Sequence, residues 1–185
     1  QYRRTRQGLQ TLMETDNDVV IQTGEGMLVL WGAMKSVLRP GDRVLSLVTG
    51  VFGRGLADMA RGLGCEVEVF ELPYDATLTD AEPLATVAQR FHPKLITAVH
   101  CETPSGTLNP VDRVGEVKRA CGAKLLLVDA VASIAGARVA VDEWGIDLCL
   151  GGAQKCLSAP PSMSFLSVSE AAWEEVQHTN YQGYD

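Results

Sequence analysis

The sequence predicts an α/β protein built on a single, largely parallel sheet with helices packed on both faces. Short runs rich in Val, Ile and Leu alternate with longer segments of helical period, a pattern typical of βαβ units. Residues 125–128 (LLLV) are apolar without alternation, as expected for a strand that is buried on both faces. A chain of 185 residues is long enough to bury a core of this kind within one domain.

Seven runs predict the strands, because each is short, rich in β-branched or other apolar residues and bounded by turn-forming residues. In chain order they are DVVIQT (18–23), RVLSLV (43–48), CEVEVFEL (65–72), KLITAVH (94–100), KLLLVDA (124–130), IDLCLGG (146–152) and MSFLSVS (163–169). The third run alternates polar and apolar residues, so we expect one of its faces to contact solvent.

Four segments with apolar residues at helical spacing predict the connecting helices. They are residues 27–38, 52–63, 79–91 and 111–120. Pro40 and Gly41 end the first helix, and Gly64 is a natural C-cap for the second. Thr77 or Thr79 is the expected N-cap of the third helix.

The composition excludes several classes of protein. The chain has 16 basic and 23 acidic residues, a net charge of −7, which excludes a nucleic-acid binder that relies on overall positive charge. No apolar stretch approaches the roughly 18 residues that a membrane helix needs, and the first thirty residues lack the apolar segment of a signal peptide. We therefore expect neither nucleic acid nor membrane as a partner.

Cysteine and histidine are too scattered to indicate a disulfide framework or a metal site. The five cysteines form no C-x-x-C pair, and the three histidines lie far apart in the chain. We expect reduced thiols in a cytosol-like compartment and assign no metal. Cytoplasm is the default location, and a C-terminal peroxisomal address would lie outside this sequence.

Ligands of open α/β sheets bind beyond the carboxyl ends of the strands, so the loops that follow the strands are the place to look for chemistry. These loops contain residues 24–26 (GEG), 50–53 (GVFG), 101–106 (CETPSG), Asp129 and residues 151–155 (GGAQK). We expect them to share one edge of the sheet.

Three features of these loops have both an ordinary and a functional interpretation. The turn at 24–26 is either a simple tight turn or a cradle that aims backbone N–H groups at a phosphate; Val29 stands where a dinucleotide fingerprint has its third Gly. Asp129 is either a helix cap or a partner for a ligand cation, because burying it alone is costly. Lys155 is either an exposed loop lysine or an amine nucleophile in apolar surroundings.

Together the three features match the requirements of pyridoxal phosphate. The phosphate group needs helix N–H groups, the pyridinium nitrogen needs a carboxylate, and the aldehyde needs an amine.

Three motifs, which follow one another along the chain, resemble those of a known family. They are residues 100–110 (HCETPSGTLNP), 129–133 (DAVAS) and 154–161 (QKCLSAPP). With the turn at 24–26, they resemble the class V aminotransferases, and most closely the alanine–glyoxylate and serine–pyruvate aminotransferase branch. The resemblance covers nearly the whole chain. It implies the large domain of a fold type I pyridoxal-phosphate transferase, a three-layer sandwich with a mainly parallel central sheet.

The resemblance also implies the domain organisation. Residues 1–185 would be a partial pyridoxal-phosphate-binding large domain, with the N-terminal arm and the C-terminal small domain of the family not represented. We therefore expect the chain to be a fragment.

The resemblance implies two catalytic residues. Lys155 would carry the internal aldimine with pyridoxal phosphate and would then move the proton between the substrate Cα and C4′ as general base and acid. Asp129 would keep the ring nitrogen protonated.

The resemblance also assigns residues to the cofactor itself. Phe52 would stack on one face of the ring and Val131 would pack on the other. The remaining cofactor-binding positions are Glu25, Gly26 and Met27 in the phosphate turn, Thr103 with a hydroxyl close to the cofactor, and Gln154 beside the lysine.

Some residues depart from the family pattern. Many relatives have hydroxyl residues just before Gln-Lys, where this chain has Gly151, Gly152 and Ala153. Glu25 would place a carboxylate beside a phosphate, which is repulsive unless the side chain points away and only the backbone binds. These departures bear on the substrate class.

The resemblance implies transamination of a small amino acid, alanine or serine, with a 2-oxo acid such as glyoxylate or pyruvate, in a homodimer. One alternative is another class V reaction of the desulfurase or lyase type; those enzymes usually have His before the lysine, where this chain has Gln154. A second alternative is a nucleotide-binding or structural α/β module, which would form no covalent adduct at Lys155.

Overall fold

The computed structural model describes residues 1–183. Its strands are β1 (Asp18–Thr23), β2 (Arg43–Val48), β3 (Glu66–Glu71), β4 (Leu95–Val99), β5 (Cys101–Glu102), β6 (Thr107–Leu108), β7 (Leu125–Asp129), β8 (Leu148–Gly152) and β9 (Met163–Val168). Its helices are α1 (Tyr2–Leu12), α2 (Gly26–Val37), α3 (Val51–Gly62), α4 (Glu82–Phe91), α5 (Val111–Cys121), α6 (Val141–Trp144) and α7 (Glu170–Thr179). All seven predicted strands are present, with ends that differ by no more than two residues.

One mixed sheet contains seven of the strands, in the order β1-β9-β8-β7-β4-β2-β3. The pairs from β8 to β3 are parallel, whereas β9 runs antiparallel to both of its neighbours, β1 and β8. The short strands β5 and β6 form a separate antiparallel hairpin. The mainly parallel α/β sheet predicted from the sequence is therefore confirmed.

Two apolar cores lie on opposite faces of the sheet. Within β7, Leu126 and Val128 enter the core shared with α4 and α5, while Leu125 and Leu127 enter the core shared with α2, α3 and α7. This arrangement explains why the run at 125–128 is apolar at every position, because both faces of the strand are covered. None of the helices within residues 1–183 is long and apolar enough to cross a membrane.

The expected start of α4 is wrong. The helix begins at Glu82 rather than near residue 79, and no threonine caps it. Instead, Asp80 Oδ1 accepts a hydrogen bond of 3.0 Å from Glu82 N, and Thr77 Oγ1 donates to Leu108 O at 2.9 Å. Asp80 thus accepts a hydrogen bond from an N–H group in the first turn of α4. Thr77 instead connects the loop after β3 to the β5–β6 hairpin.

A half-buried ion-pair network holds the amino edge of the sheet together. Lys94 Nζ lies 2.8 Å from Asp42 Oδ2, 2.9 Å from Glu175 Oε2 and 2.8 Å from the Val37 carbonyl oxygen. Lys124 Nζ lies 2.7 Å from the other oxygen of Glu175. Burial alone would raise the pKa of Glu175, but hydrogen bonds from Lys124 and Lys94 outweigh it and lower the pKa below its ordinary value. Glu175 thereby ties α7 to the beginnings of β4 and β7.

We predict that Glu175→Ala lowers the free energy of unfolding by roughly 2–4 kcal/mol, because it leaves Lys94 partly buried with one carboxylate fewer. Chemical denaturation of the full-length protein measures the loss. Glu174→Ala, at an exposed neighbouring position of the same helix, is the matched control and should cost less than about 0.5 kcal/mol. Equal losses in the two variants would show that the network contributes nothing.

Candidate functional site

A pocket of about 170 Å³ opens at the carboxyl edge of the sheet. All nine site residues predicted from the sequence line it: Glu25, Gly26, Met27, Phe52, Thr103, Asp129, Val131, Gln154 and Lys155. Leu30, Cys101 and Ala132 also line it and were not predicted. Cys101 could have been suspected from its place directly after a strand, whereas Leu30 and Ala132 carry no signal beyond their apolar character.

The N-terminus of α2 forms one wall of the pocket. Its N-cap residue, Glu25, is exposed, has extended backbone angles (φ −85°, ψ 167°) and makes no capping hydrogen bond with its side chain. The first N–H groups of the helix therefore stay available, and together with the helix dipole they favour an anion.

Gly26 is required where α2 approaches the opposite wall. A Cβ atom at this position would lie 2.9 Å from Cγ2 of Val131, closer than side-chain carbons normally come. A larger residue would require Val131 to shift away from α2. Glycine thus keeps the pocket open beside the helix N-terminus.

Asp129 lies at the end of β7 and is only 6% exposed. Its Oδ1 accepts a hydrogen bond of 2.9 Å from Val131 N. Burial raises the pKa of Asp129 to about 6; the Val131 N–H and the charge of Lys155 act in the opposite direction, and the charge of Glu102 adds to the rise. Such a carboxyl group is poised to ionise fully when a cation is placed against it.

Lys155 is exposed at the mouth of the pocket, in the turn that follows β8. The turn closes on itself, because Ala159 N donates to Ala153 O and Ser158 N donates to Lys155 O, each at 2.9 Å. The lysine is thus held on an ordered backbone, close enough to lower the pKa of Asp129 by its charge.

Two closely packed glycines precede Lys155, and the first of them, Gly151, is required by packing. A Cβ atom at Gly151 would lie 2.2 Å from the Phe165 ring, and one at Gly152 would lie 2.8 Å from Gln154 Oε1 and 3.0 Å from Val131 Cγ1. The Gln154 Oε1 atom is itself buried and has no hydrogen-bond donor within residues 1–183. Because an unsatisfied buried amide costs free energy, Gln154 is ready to gain from a ligand in the pocket.

Phe52 and Thr103 complete the lining from two further loops. Phe52 lies in the first turn of α3 and is half-buried, and Thr103 is exposed just after β5. The pocket therefore has an aromatic wall at Phe52, an aliphatic wall at Val131, an acid, an amine and an open helix N-terminus.

The comparisons with known proteins agree with the resemblance seen in the sequence. Residues 1–184 match the family described as Aminotransferase class-V. The chain is 35% identical over 178 residues to pyridoxamine–pyruvate transaminase of Mesorhizobium japonicum, covering 95% of this chain and 44% of that protein. It is 37% identical over 174 residues to alanine–glyoxylate aminotransferase of Callithrix jacchus, covering 92% of this chain and 41% of that protein.

A solved structure gives the same result. The ureidoglycine–glyoxylate aminotransferase of Bacillus subtilis superposes with a TM-score of 0.92 at 34% identity, covering 97% of this chain and 46% of that one. The chain thus spans less than half the length of the relatives that it matches. Class V aminotransferases depend on pyridoxal phosphate, the cofactor that the sequence indicated. The family resemblance is confirmed: this chain belongs to the class V aminotransferases.

Proposed function

We propose that this chain is the pyridoxal-phosphate-binding large domain of an aminotransferase. The observation that carries the proposal is the convergence of Lys155, Asp129 and the open N-terminus of α2 on one pocket. Each supplies what one part of the cofactor requires, namely an amine, a carboxylate and a set of N–H groups.

The pocket residues fit this cofactor in shape as well as in charge. Gly26 and Gly152 leave space on either side of Val131 that a Cβ atom would fill. Phe52 and Val131 are suited to the two faces of a flat ring, and the amide nitrogen of Gln154 and the α2 N–H groups are suited to donate to a phosphate. Glu25 contributes its backbone, consistent with its exposed side chain.

The chemistry of the cofactor is that of an electron sink, which stabilises negative charge at the substrate Cα. Lys155 Nζ would hold the cofactor at its aldehyde carbon, and the same amine, when free, would be placed to move a proton at the substrate Cα as general base and acid. Asp129 would hold the ring nitrogen and keep it protonated.

The substrates that we propose are a small amino acid, alanine or serine, and a 2-oxo acid such as glyoxylate or pyruvate. The relatives support the acceptor, because their names specify glyoxylate or pyruvate, and alanine is among the named donors, beside pyridoxamine and ureidoglycine. Gln154 before the lysine favours transamination over a desulfurase-type reaction. A screen of these donors and acceptors against the full-length protein tests the assignment.

We also propose that the protein acts as a homodimer. Leu28 and Val51, each one residue from the pocket lining, are 49% and 56% exposed. A partner subunit over this rim would cover both side chains, and the resemblance to class V aminotransferases implies such a dimer. Light scattering of the full-length protein reports the assembly.

We predict that borohydride reduction of the full-length protein with pyridoxal phosphate places a pyridoxyl group on Lys155. Peptide mass mapping identifies the modified residue. Lys155→Ala should lose the adduct, whereas Lys124→Ala, which removes a lysine at the opposite edge of the sheet, should keep it. An adduct on another lysine, or none at all, would contradict the assignment of Lys155.

We predict that Gly26→Ala weakens pyridoxal phosphate binding about tenfold or more, because the new methyl group displaces Val131. Titration of the cofactor-free protein, followed by its absorption spectrum, gives the dissociation constant. Gly32→Ala is the matched control on the same helix, where a Cβ atom meets nothing within 4 Å. Similar affinities for pyridoxal phosphate in the two variants would show that Gly26 is not needed for cofactor binding.

We predict that Asp129→Asn stabilises the cofactor-free protein at neutral and higher pH. The native pKa of about 6 lies above the ordinary 3.8, so the native state binds this proton more tightly, and stability falls as the pH rises between the two values. The difference of 2.2 between the two pKa values corresponds to a gain in the free energy of unfolding, for Asp129→Asn relative to the wild type, of up to about 3 kcal/mol above pH 6.

Denaturation of the wild type and Asp129→Asn near pH 4 and near pH 8 measures this effect. The gain should vanish near pH 4, and the same variant should lose most of its affinity and activity with pyridoxal phosphate. A stability difference that does not change with pH would show that Asp129 carries no buried charge.

A further inference from the structure

Glu102 is a fully buried carboxylic acid for which the reaction proposed above gives no role. It lies in β5, within the 100–110 motif, and is 0% exposed. A carboxylate in such a place is costly unless hydrogen bonds compensate for the lost water. Its partners therefore indicate what it is for.

The carboxylate of Glu102 caps the N-terminus of α3. Its Oε1 accepts a hydrogen bond of 2.7 Å from Gly53 N, and its Oε2 accepts one of 3.2 Å from Phe52 N. The N-cap residue, Gly50, has no side chain to serve this purpose. An acid brought from another loop thus satisfies two free N–H groups and faces the positive end of the helix dipole.

The sequence of α3 leaves room for this contact. A Cβ atom at Gly50 would lie 2.6 Å from Glu102 Cδ, and one at Gly53 would lie 3.3 Å from Glu102 Oε1. At Gly53 the Cβ atom would also lie 3.0 Å from the Leu47 carbonyl oxygen. Both glycines are needed for the carboxylate to reach the helix.

A second contact fixes the same loop to the hairpin. The buried Asn109 side chain donates from Nδ2 to Thr49 Oγ1 at 2.8 Å and to the Val99 carbonyl oxygen at 2.9 Å. Thr49 directly precedes Gly50, so the loop after β2 is held by Asn109 just before α3 and by Glu102 in the first turn of α3. The β5–β6 hairpin therefore sets where the helix begins.

Two helices begin at this pocket, and they differ in one respect. The N-terminus of α2 has no side-chain cap, whereas Glu102 occupies that of α3. Residue Phe52, in the capped turn, lines the pocket. We propose that Glu102 is a positioning residue, which serves as a built-in anion for α3 and thereby holds the Phe52 ring at the pocket wall.

Only the second part of this inference, that Glu102 holds the Phe52 ring in place for the cofactor, rests on the proposed function. The capping of α3 is a property of the protein without cofactor, whereas the orientation of Phe52 against the ring needs the cofactor. The test therefore has two arms that fail separately.

The first arm compares amide hydrogen exchange in the cofactor-free, full-length wild type and Glu102→Gln. Gln keeps the shape but lacks the charge and one acceptor oxygen, so the amides of Phe52 and Gly53 should exchange roughly 10- to 100-fold faster. The amides of α2 should be unchanged. Unchanged exchange at Phe52 and Gly53 would overturn the proposal, whether or not the protein binds pyridoxal phosphate.

The second arm follows the visible circular dichroism band and the dissociation constant of added pyridoxal phosphate. In Glu102→Gln the band should weaken and the dissociation constant should rise about tenfold, because the ring wall is no longer fixed. Glu71→Gln is the matched control, since Glu71 is exposed and contacts the same helix through Arg54 at 2.5 Å. Faster exchange with an unchanged band would show that Glu102 is a structural cap only and would overturn the positioning role.

Discussion

The parallel direction of β2, β4, β7 and β8 is the constraint on which the rest of the structure depends. Because their carboxyl ends lie at one edge, loops from distant parts of the sequence meet there without any long connection. The strand β1 joins them through antiparallel β9, which pairs Thr23 with Met163 and lets Gly24 N donate to Ser162 O at 2.9 Å. The walls that follow β2, β7 and β8 are consequently attached to well-buried strands, whereas the wall formed by α2 follows the partly exposed edge strand β1.

That rigid frame supports groups that are unfavourable on their own. Asp129 is buried with a raised pKa, and the Gln154 amide oxygen lacks a donor. Both would reduce stability in a protein selected for folding alone, and both are improved by a ligand that brings a cation and hydrogen-bond donors. Glu102 differs, because its buried charge is already satisfied by two backbone N–H groups. The two buried acids therefore differ: Glu102, behind the pocket wall, already has its hydrogen-bond partners, whereas Asp129, in the pocket lining, has room for a cation.

The sequence predicted the strands, and the loops that meet at the pocket, because both follow from strong local patterns: apolar runs, and polar residues placed directly after them. The individual lining residues, such as Phe52 and Val131, were predicted by the resemblance to class V aminotransferases. The sequence did not indicate α1, a largely polar helix that buries none of its residues fully and packs on the core only through Leu9 and Leu12. The reversed direction of β9 leaves no trace in periodicity. The capping role of Glu102 was also missed. A glutamate in a polar loop is usually exposed, and only the tertiary structure brings this one to α3.

The glycines before Lys155 have a steric explanation rather than a chemical one. Gly151 accommodates the Phe165 ring of β9, and Gly152 accommodates Val131 and the Gln154 amide. A hydroxyl residue at position 151 would require Phe165 of β9 to move, and one at position 152 would require Gln154 and Val131 to shift, so neither position supplies a side-chain donor without such a change. Anion binding then depends more heavily on backbone N–H groups, and the uncapped N-terminus of α2 is the part of the pocket that supplies them.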